Sequence, residues 1–294
     1  MLNLRLRDII LSIDDVEASL PSRVATLLRL EKERLHDFKV VRRAVDARRK
    51  SQIRRVYTVE FSLTDDDFLR RHGNCKGKLE EVKPIVVPQP LTARRSKTAT
   101  VVGMGPAGLF AALHLARCGL HVILLEQGEP LEKRVKDVLS FWNGGTLLGH
   151  SNVQFGEGGA GTFSDGKLTT RVNHPWSRLI LQTLVDFGAP HEILIEARPH
   201  IGTDLLRQVL LRFRQELERL GVVIRFRSRC SELMLRQKRV VGVRLPNGEE
   251  LCADYLLFAP GHSARASYAM LAASGVAMER KPFAMGCESS ILRP

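Results

Sequence analysis

The chain has 294 residues, 44% of them hydrophobic, with 45 Lys and Arg against 32 Asp and Glu, a formal net charge of +13. Such a composition is globular rather than disordered, and no stretch approaches the roughly 20 consecutive apolar residues of a membrane span. Cys75, Cys118, Cys230, Cys252 and Cys287 show neither CxxC spacing nor a metal-ligand cluster, and Met1–Asp15 alternates apolar and charged residues without the apolar run of a signal peptide, so a reduced, cytoplasmic protein without a structural metal is expected.

Leu2, Leu4 and Leu6 alternate with polar residues and predict a strand. Asp14–Leu30 has helical spacing that is interrupted or restarted at Pro21, and Phe38–Val45 and Val56–Leu63 predict two more strands. Residues 1–97 carry 22 basic and 14 acidic side chains, a net +8 of the total, and Lys32–Arg55 alone carries ten basic against three acidic. That stripe suits either a phosphate backbone or an ordinary solvated face. It has no interleaved aromatics and no nucleic-acid motif, so no nucleic-acid partner is expected. Pro84, Pro88 and Pro90, followed by Arg94 and Arg95, mark a domain boundary near residue 95.

Beyond the boundary, Ala99–Val102 predicts a buried strand, Pro106–Cys118 a helix closed by Gly119, and Leu120–Glu126 a second strand. A glycine-rich loop covers Asn143–Lys167. Trp176–Phe187 and Asp204–Leu220 predict amphipathic helices. Val222–Phe226, Ser231–Leu235, Val240–Leu245 and Glu250–Leu257 predict strands, the last two joined at Asn247-Gly248.

Gly103-Met104-Gly105-Pro106-Ala107-Gly108 is a G-x-G-x-x-G turn placed between a predicted strand and helix. Glu126 ends the next strand, 23 positions after Gly103, near the ~20 of dinucleotide-binding folds. Gly103 permits the tight turn, Gly105 lets a pyrophosphate approach the backbone, and Gly108 lets the helix pack closely. The helix N-terminus offers free N–H groups to the phosphates. Glu126 can accept two ribose hydroxyls and would repel a 2′-phosphate, which disfavours NADP in this site. A plain nicotinamide domain would continue β-α-β-α. This chain instead inserts a loop and helices, then a β-meander, then a strand running into Ala259-Pro260-Gly261, the order of flavoproteins with two dinucleotide folds. Gly261 would let the chain pass close to the cofactor.

With Glu126 and Ala259-Pro260-Gly261, the Gly-Pro-Ala-Gly form of the turn resembles FAD-binding oxidoreductases of the glutathione-reductase-like superfamily. The stretch Asn152–Lys167, with Pro199-His200-Ile201-Gly202-Thr203-Asp204 and Gly261-His262-Ser263-Ala264-Arg265, is similar to a bacterial family of FAD-dependent dehydrogenases. The resemblance implies a Rossmann-like α/β FAD-binding domain with a β-meander, preceded by a small α/β domain. It also implies redox chemistry at a non-covalently bound FAD, with a small-molecule substrate and NAD(P)H as an electron donor. The expected domains are 1–95, basic; 96–172 with 222–265, FAD-binding; and 173–221 with 266–294, an incomplete inserted or substrate domain.

Expected cofactor contacts are Gly103, Gly105, Pro106, Ala107, Gly108, Glu126, Gly158, Gly159, Gly161, Ser164 and Gly261. Asp165 is a further polar contact, and Arg265 would pair with a cofactor phosphate or cover a sheet edge. His200 and His262 are acid–base candidates, and Lys167 could stabilise a reduced flavin. Thr203-Asp204 reads as a helix N-cap. No C-x4-C pair supports a disulfide reductase. Lys281–Gly286 resembles the family, but Cys287–Pro294 does not. The family continues there with a run like Val-Arg-Val-Glu-His-Pro-Gln, which one choice among the degenerate codons for residues 287–294 yields in another reading frame, so loss of a single G is the expectation at this point. Two other readings stand beside the oxidoreductase: a polyanion-binding module on a flavin-domain scaffold, and an inactive truncated fragment.

Overall fold

The computed structural model describes residues 1–65, 68, 78–82, 97–164, 166–168, 170, 174 and 176–280. The proline-marked boundary at 84–95, Asp165, Cys75 and the stretch 281–294 lie outside the described residues.

The N-terminal layer is an antiparallel sheet of β1 (Leu2–Ser12), β2 (His36–Asp46), β3 (Arg54–Leu63) and β4 (Leu79–Glu81), in the order β2-β3-β1-β4. Strand alternation should bury even positions of β1 and nothing else. The register shifts between Leu6 and Ile9, where Asp8 adopts φ 57°, and this bulge changes the parity. Leu2, Leu4 and Leu6 therefore share one buried face with Ile9 and Leu11. Helix α1 (Leu20–Leu28) covers that face with Leu20, Val24 and Leu28, packed among Tyr57, Val59, Phe61 and Leu63. Pro21 starts this helix rather than interrupting it: a 3-10 turn at Glu17–Ser19 precedes it, and proline costs no hydrogen bond in a first turn. The opposite face carries an ion ladder, with Glu60 taking both Arg5 and Lys39. Several cations of the basic run are thus already partnered: Lys39 by Glu60, Arg43 by Glu196 and Glu17, Arg48 by Asp46.

The second layer is a parallel sheet of β5 (Thr98–Val102), β6 (His121–Leu125), β7 (Val223–Arg225) and β11 (Tyr255–Phe258), in the order β11-β5-β6-β7. Helix α2 (Pro106–Arg117) crosses from β5 to β6 and buries Leu109, Ala112, Leu113 and Ala116, the i, i+3, i+4, i+7 face. Helices α4 (Trp176–Asp186) and α5 (Thr203–Arg219) lie where an inserted domain was expected over 173–221. The structure differs: α5 buries Val209, Leu210, Phe213 and Leu217 in the same core as β5 and α2. Phe213 meets Phe110 of α2 edge-on at 5.3 Å, so α5 serves as a crossover helix leading into β7.

The meander β8 (Glu232–Arg236), β9 (Arg239–Arg244) and β10 (Glu250–Cys252) forms a separate three-stranded sheet. The expected strand Glu250–Leu257 breaks at Ala253-Asp254, where Asp254 binds Lys97 and the Thr98 N–H. Its first part stays in the meander and its second becomes β11. Two helices were not anticipated, α3 (Leu131–Trp142) and α6 (Arg265–Ala273). The buried face of α3 consists of Leu131, Arg134 and Val138, while Leu139, Phe141 and Trp142 are exposed, so its apolar pattern misleads. Among the described residues no helix is long and apolar enough to cross a membrane.

Candidate functional site

The C-terminal ends of β5, β6 and β11 open onto one cleft of about 1010 Å³, including its space open to solvent. Ligands of open parallel sheets bind at this end, where connections diverge to either side. Gly103 leaves β5 at φ +100°, and a Cβ placed on it would lie 2.2 Å from the Ala259 carbonyl oxygen. The expected return of the chain at Ala259-Pro260-Gly261 is therefore a direct backbone contact with the G-x-G turn. Gly108 faces away from the cleft, where a Cβ would lie 1.8 Å from the Gly103 oxygen. Gly105 caps α2 from its N-terminal side, and Gly105, Pro106 and Ala107 line the cleft.

Glu126 is buried at the end of β6, at 5% exposure. One carboxylate oxygen accepts the Met104 N–H at 2.9 Å. The other accepts the Gly128 N–H at 2.8 Å and the Gly156 N–H at 3.1 Å. An ionised carboxylate has about four acceptor positions, so three bonds leave capacity for a ligand hydroxyl. Glu126 thus ties the G-x-G turn to the glycine-rich loop while still lining the cleft.

The organiser of that loop is Arg134, a residue the sequence reading missed. Its guanidinium is fully buried and donates to the carbonyls of Asn152 (2.9 Å), Val153 (3.1 Å), Glu157 (2.6 Å) and Gly159 (2.9 Å), and to Thr162 Oγ1 at 3.2 Å. Four carbonyl dipoles of this stretch are thus gathered onto one cation. Burial pushes the Arg134 guanidinium down to about 10, against the opposing pull of Glu126 and Glu157. Phe163 stacks on it, with its ring centroid 4.9 Å from the guanidinium carbon. Gly156 exists for this packing, since a Cβ there would lie 2.4 Å from Arg134 Cδ. The only sequence signal is an arginine on an i, i+3, i+7 face with Leu131 and Val138.

Glu157 is the second missed residue. Its carboxylate accepts the Leu131 N–H at 2.8 Å, at the start of α3, and pairs with Arg214 of α5 at 3.0 Å. Burial pushes this carboxyl up to about 7, although the Leu131 N–H and Arg214 favour its charged form.

Of the residues expected to contact a cofactor, Gly103, Gly105, Pro106, Ala107, Glu126, Gly159, Gly161 and Gly261 line the cleft. Gly108, Gly158 and Ser164 do not. A Cβ on Gly158 would meet Thr162 Oγ1 at 2.4 Å and Leu210 at 2.5 Å, so this glycine faces the protein interior. Ser164 Oγ donates to the Gly161 carbonyl and accepts the Gly166 N–H, which fixes the loop. Of the acid–base candidates, His262 lines the cleft, with Nε2 3.2 Å from Ser263 Oγ, which in turn donates to Gln154. His200 and Lys167 instead face each other in an antiparallel bridge and are not cleft residues. Arg265 borders a neighbouring apolar hollow with Phe141 and Leu147. Thr203 is not the N-cap: Gly202 is, no side chain caps the helix, and Asp204 is almost fully exposed, 3.8 Å from Arg207.

Ser228, Arg229 and Cys230 complete the wall beyond Glu126. Burial pushes the Cys230 thiol up to about 11, which keeps it a neutral wall rather than a nucleophile. Among the described residues no group of three or more His, Cys, Asp or Glu could hold a metal.

The cleft suits a dinucleotide on its own geometry. The N-terminal end of α2 faces it, a buried carboxylate stands at its edge, and no atom lies within 4 Å of a Cβ placed on Gly161.

Comparison with known proteins agrees. Residues 98–155 match the family described as FAD binding domain, and residues 3–62 match a domain of unknown function. The chain is 38% identical over 284 residues to an uncharacterized protein of Clostridium beijerinckii, an alignment covering 96% of this chain and 53% of that protein. It therefore spans about half the length of that relative. Among solved structures it is similar to THI4 of Thermovibrio ammonificans, with a TM-score of 0.43 and 16% identity, over 62% of this chain and 64% of that one. It is also similar to glycine oxidase of Bacillus cereus, with a TM-score of 0.40 and 12% identity, over 62% and 59% of the two chains. The fold is a Rossmann-like FAD-binding fold, and the cofactor is FAD.

Proposed function

We propose that this chain is the cofactor-binding part of an FAD-dependent oxidoreductase that acts on a small molecule, with NAD(P)H as a candidate electron donor. One observation carries the reading: the Gly103–Ala107 turn, the anchored Glu126 carboxylate and the Gly159–Gly161 backbone line one cleft. Glu126, held by three N–H groups, would accept one ribose hydroxyl without having to reorient. The first turn of α2 would meet the diphosphate with its free N–H groups and dipole. Gly161 would present its backbone N–H, while Gly159, whose N–H is held by the Gly156 carbonyl at 3.0 Å and whose carbonyl is held by Arg134, would offer close approach without a side chain. His262, at the cleft wall, is the candidate to take or give a proton beside the substrate. Bound FAD would supply the hydride or electron transfer itself. In this reading residues 1–95 form an accessory domain to the flavin unit, and the protein works in the cytoplasm.

The test is direct. Protein purified with FAD and desalted should keep a flavin absorbance spectrum, and anaerobic NADH or NADPH should bleach it. A colourless protein that takes up no FAD on titration rejects the cofactor reading. A coloured protein that neither nicotinamide reduces rejects only the donor.

A further inference from the structure

We infer that the N-terminal sheet braces the FAD cleft through a strand added at its edge, with Arg43 as the positioning residue. The inference rests on the proposed FAD site.

β2 is an edge strand of eleven residues, and an unpaired edge of that length is ordinarily covered or blunted. Here the segment Ile195–Ala197 covers it at Arg43. The Arg43 N–H donates to the Ile195 carbonyl at 2.6 Å, the Ala197 N–H donates to the Arg43 carbonyl at 2.9 Å, and Arg43 and Glu196 form a parallel bridge. The side chains repeat the pairing. Arg43 Nε and Nη2 reach Glu196 Oε1 at 2.9 and 2.5 Å, while Nη1 reaches Glu17 at 3.1 Å. Glu17 also accepts the hydroxyl of Tyr57, whose ring is buried in the N-terminal core. The aim of Arg43 is thus fixed from inside its own sheet.

The captured segment leads straight to the cleft. Two residues on, the Leu168 N–H donates to the Pro199 carbonyl at 2.9 Å and the Ile201 N–H to the Gly166 carbonyl at 2.8 Å. The fit is tight, since a Cβ on Gly166 would lie 1.6 Å from the Ile201 oxygen. Gly166 is joined through Ser164 to Gly161, which lines the cleft. After Ile201 the chain enters α5, whose Leu210 lies against Gly158 and whose Arg214 holds Glu157. One strap therefore touches the N-terminal sheet at one end and both halves of the glycine-rich loop at the other. Between α4 and α5 the strap has only one turn of 3-10 helix of its own, at His191–Leu194. Its path is set by what it pairs with: β2 at Arg43 on one side and the Gly166–Leu168 segment on the other.

The test uses the full chain with FAD as ligand, titrated into apoprotein and read by flavin fluorescence, with thermal unfolding in parallel. Arg43→Glu and Glu196→Arg should each weaken FAD binding by about 5- to 10-fold, within the usual range of coupling between sites. The double variant restores an ion pair of opposite sense but sets a carboxylate against Glu17, so it should recover part of the loss and bind FAD more tightly than either single variant. Arg43→Gln supplies the same reading if the charge reversal does not fold. Single variants that bind FAD as the parent does overturn the inference, as does a double variant as weak as the singles. A parent that fails to bind FAD overturns the proposed function instead, which separates the two failures.

Discussion

The Ala259 carbonyl oxygen lies so close to Gly103 that a methyl group there would sit 2.2 Å away. Neighbouring parallel strands β5 and β11 both end at this point, and the backbones can cross only where one has no side chain. Gly103 also has φ +100°, a conformation costly for any L-residue. Gly103→Ala should destabilise the protein by about 2–4 kcal/mol, as strain and overpacking add. Chemical denaturation of the FAD-free protein measures this. A change within 0.5 kcal/mol, the usual range for surface positions, would mean the turn does not have this geometry.

Gly105 gives the opposite outcome in the same motif. Its φ of −76° is ordinary, and the nearest atom to an added Cβ is Gly159 Cα at 3.9 Å. Gly105→Ala should therefore leave the stability of the empty protein unchanged within about 0.5 kcal/mol. Its added methyl occupies the surface a diphosphate must approach, so FAD affinity should fall by about tenfold or more. Paired titration and unfolding of the variant check this split. An unfolding loss as large as that of Gly103→Ala would refute it.

The contrast shows what was legible in the sequence. The turn, Glu126 and the return at Ala259–Gly261 could be read because each is a local pattern at a fixed spacing. The parity change at Asp8 could not, because Ile10 continues the apolar even positions and hides the switch to Ile9 and Leu11, although Ile10 itself is exposed. Helix α3 escaped because its buried face includes an arginine while Phe141 and Trp142 point outward. Arg134 and Glu157 escaped for a related reason: a charged residue reads as surface until its partners are known, and those partners lie 18 to 57 positions away. The glycine-rich pattern predicts that Gly158 faces a ligand with Gly159 and Gly161, yet Gly158 makes room for Thr162 and Leu210.

Arg134 should be a large contributor to loop order. Arg134→Met keeps much of the stem but removes the donor shared by four carbonyls and Thr162 Oγ1, leaving those of Asn152 and Val153 without it and those of Glu157 and Gly159 with Thr162 alone. Loss of one partner from a buried charged network costs about 3–5 kcal/mol, and denaturant unfolding should show a loss of that order. Arg134→Lys should recover only part of it, since an ammonium has three donors and no planar fork. Full recovery by lysine would show that charge alone, rather than the fork across several carbonyls, holds the loop.

Glu126→Gln tests a different division of labour. The amide keeps one acceptor oxygen and places an NH2 group against either Met104 N–H or the Gly128 and Gly156 N–H pair. One buried donor at least is left facing another donor, costing about 1–3 kcal/mol of stability. FAD affinity should fall further than stability alone explains, because the ribose also loses a charged acceptor. Unchanged stability with lost affinity would mean that Glu126 serves only the ligand and not the turn.

Glu157 should make the stability of the protein depend on pH in an unusual direction. Its carboxyl is pushed up to about 7 in the fold, against 4.5 for an ordinary glutamate, chiefly because ionising it in a buried site is costly. Below pH 4.5 both folded and unfolded chains carry the proton, and the residue makes no pH-dependent difference. Between 4.5 and 7 the unfolded chain releases the proton while the folded one retains it, so the folded state loses stability as pH rises. At 1.36 kcal/mol per unit the total reaches at most about 3 kcal/mol and is constant above pH 7. Carboxylates such as Glu60 and Glu132, held below the ordinary range in the fold, act in the opposite sense as pH falls, so the raw profile mixes both. Comparison with Glu157→Gln isolates the one residue. The stability of the variant relative to the parent should rise from pH 4.5 to 7 and then level off. Parallel profiles across that window would show that Glu157 is ionised throughout, with Arg214 fully offsetting its burial.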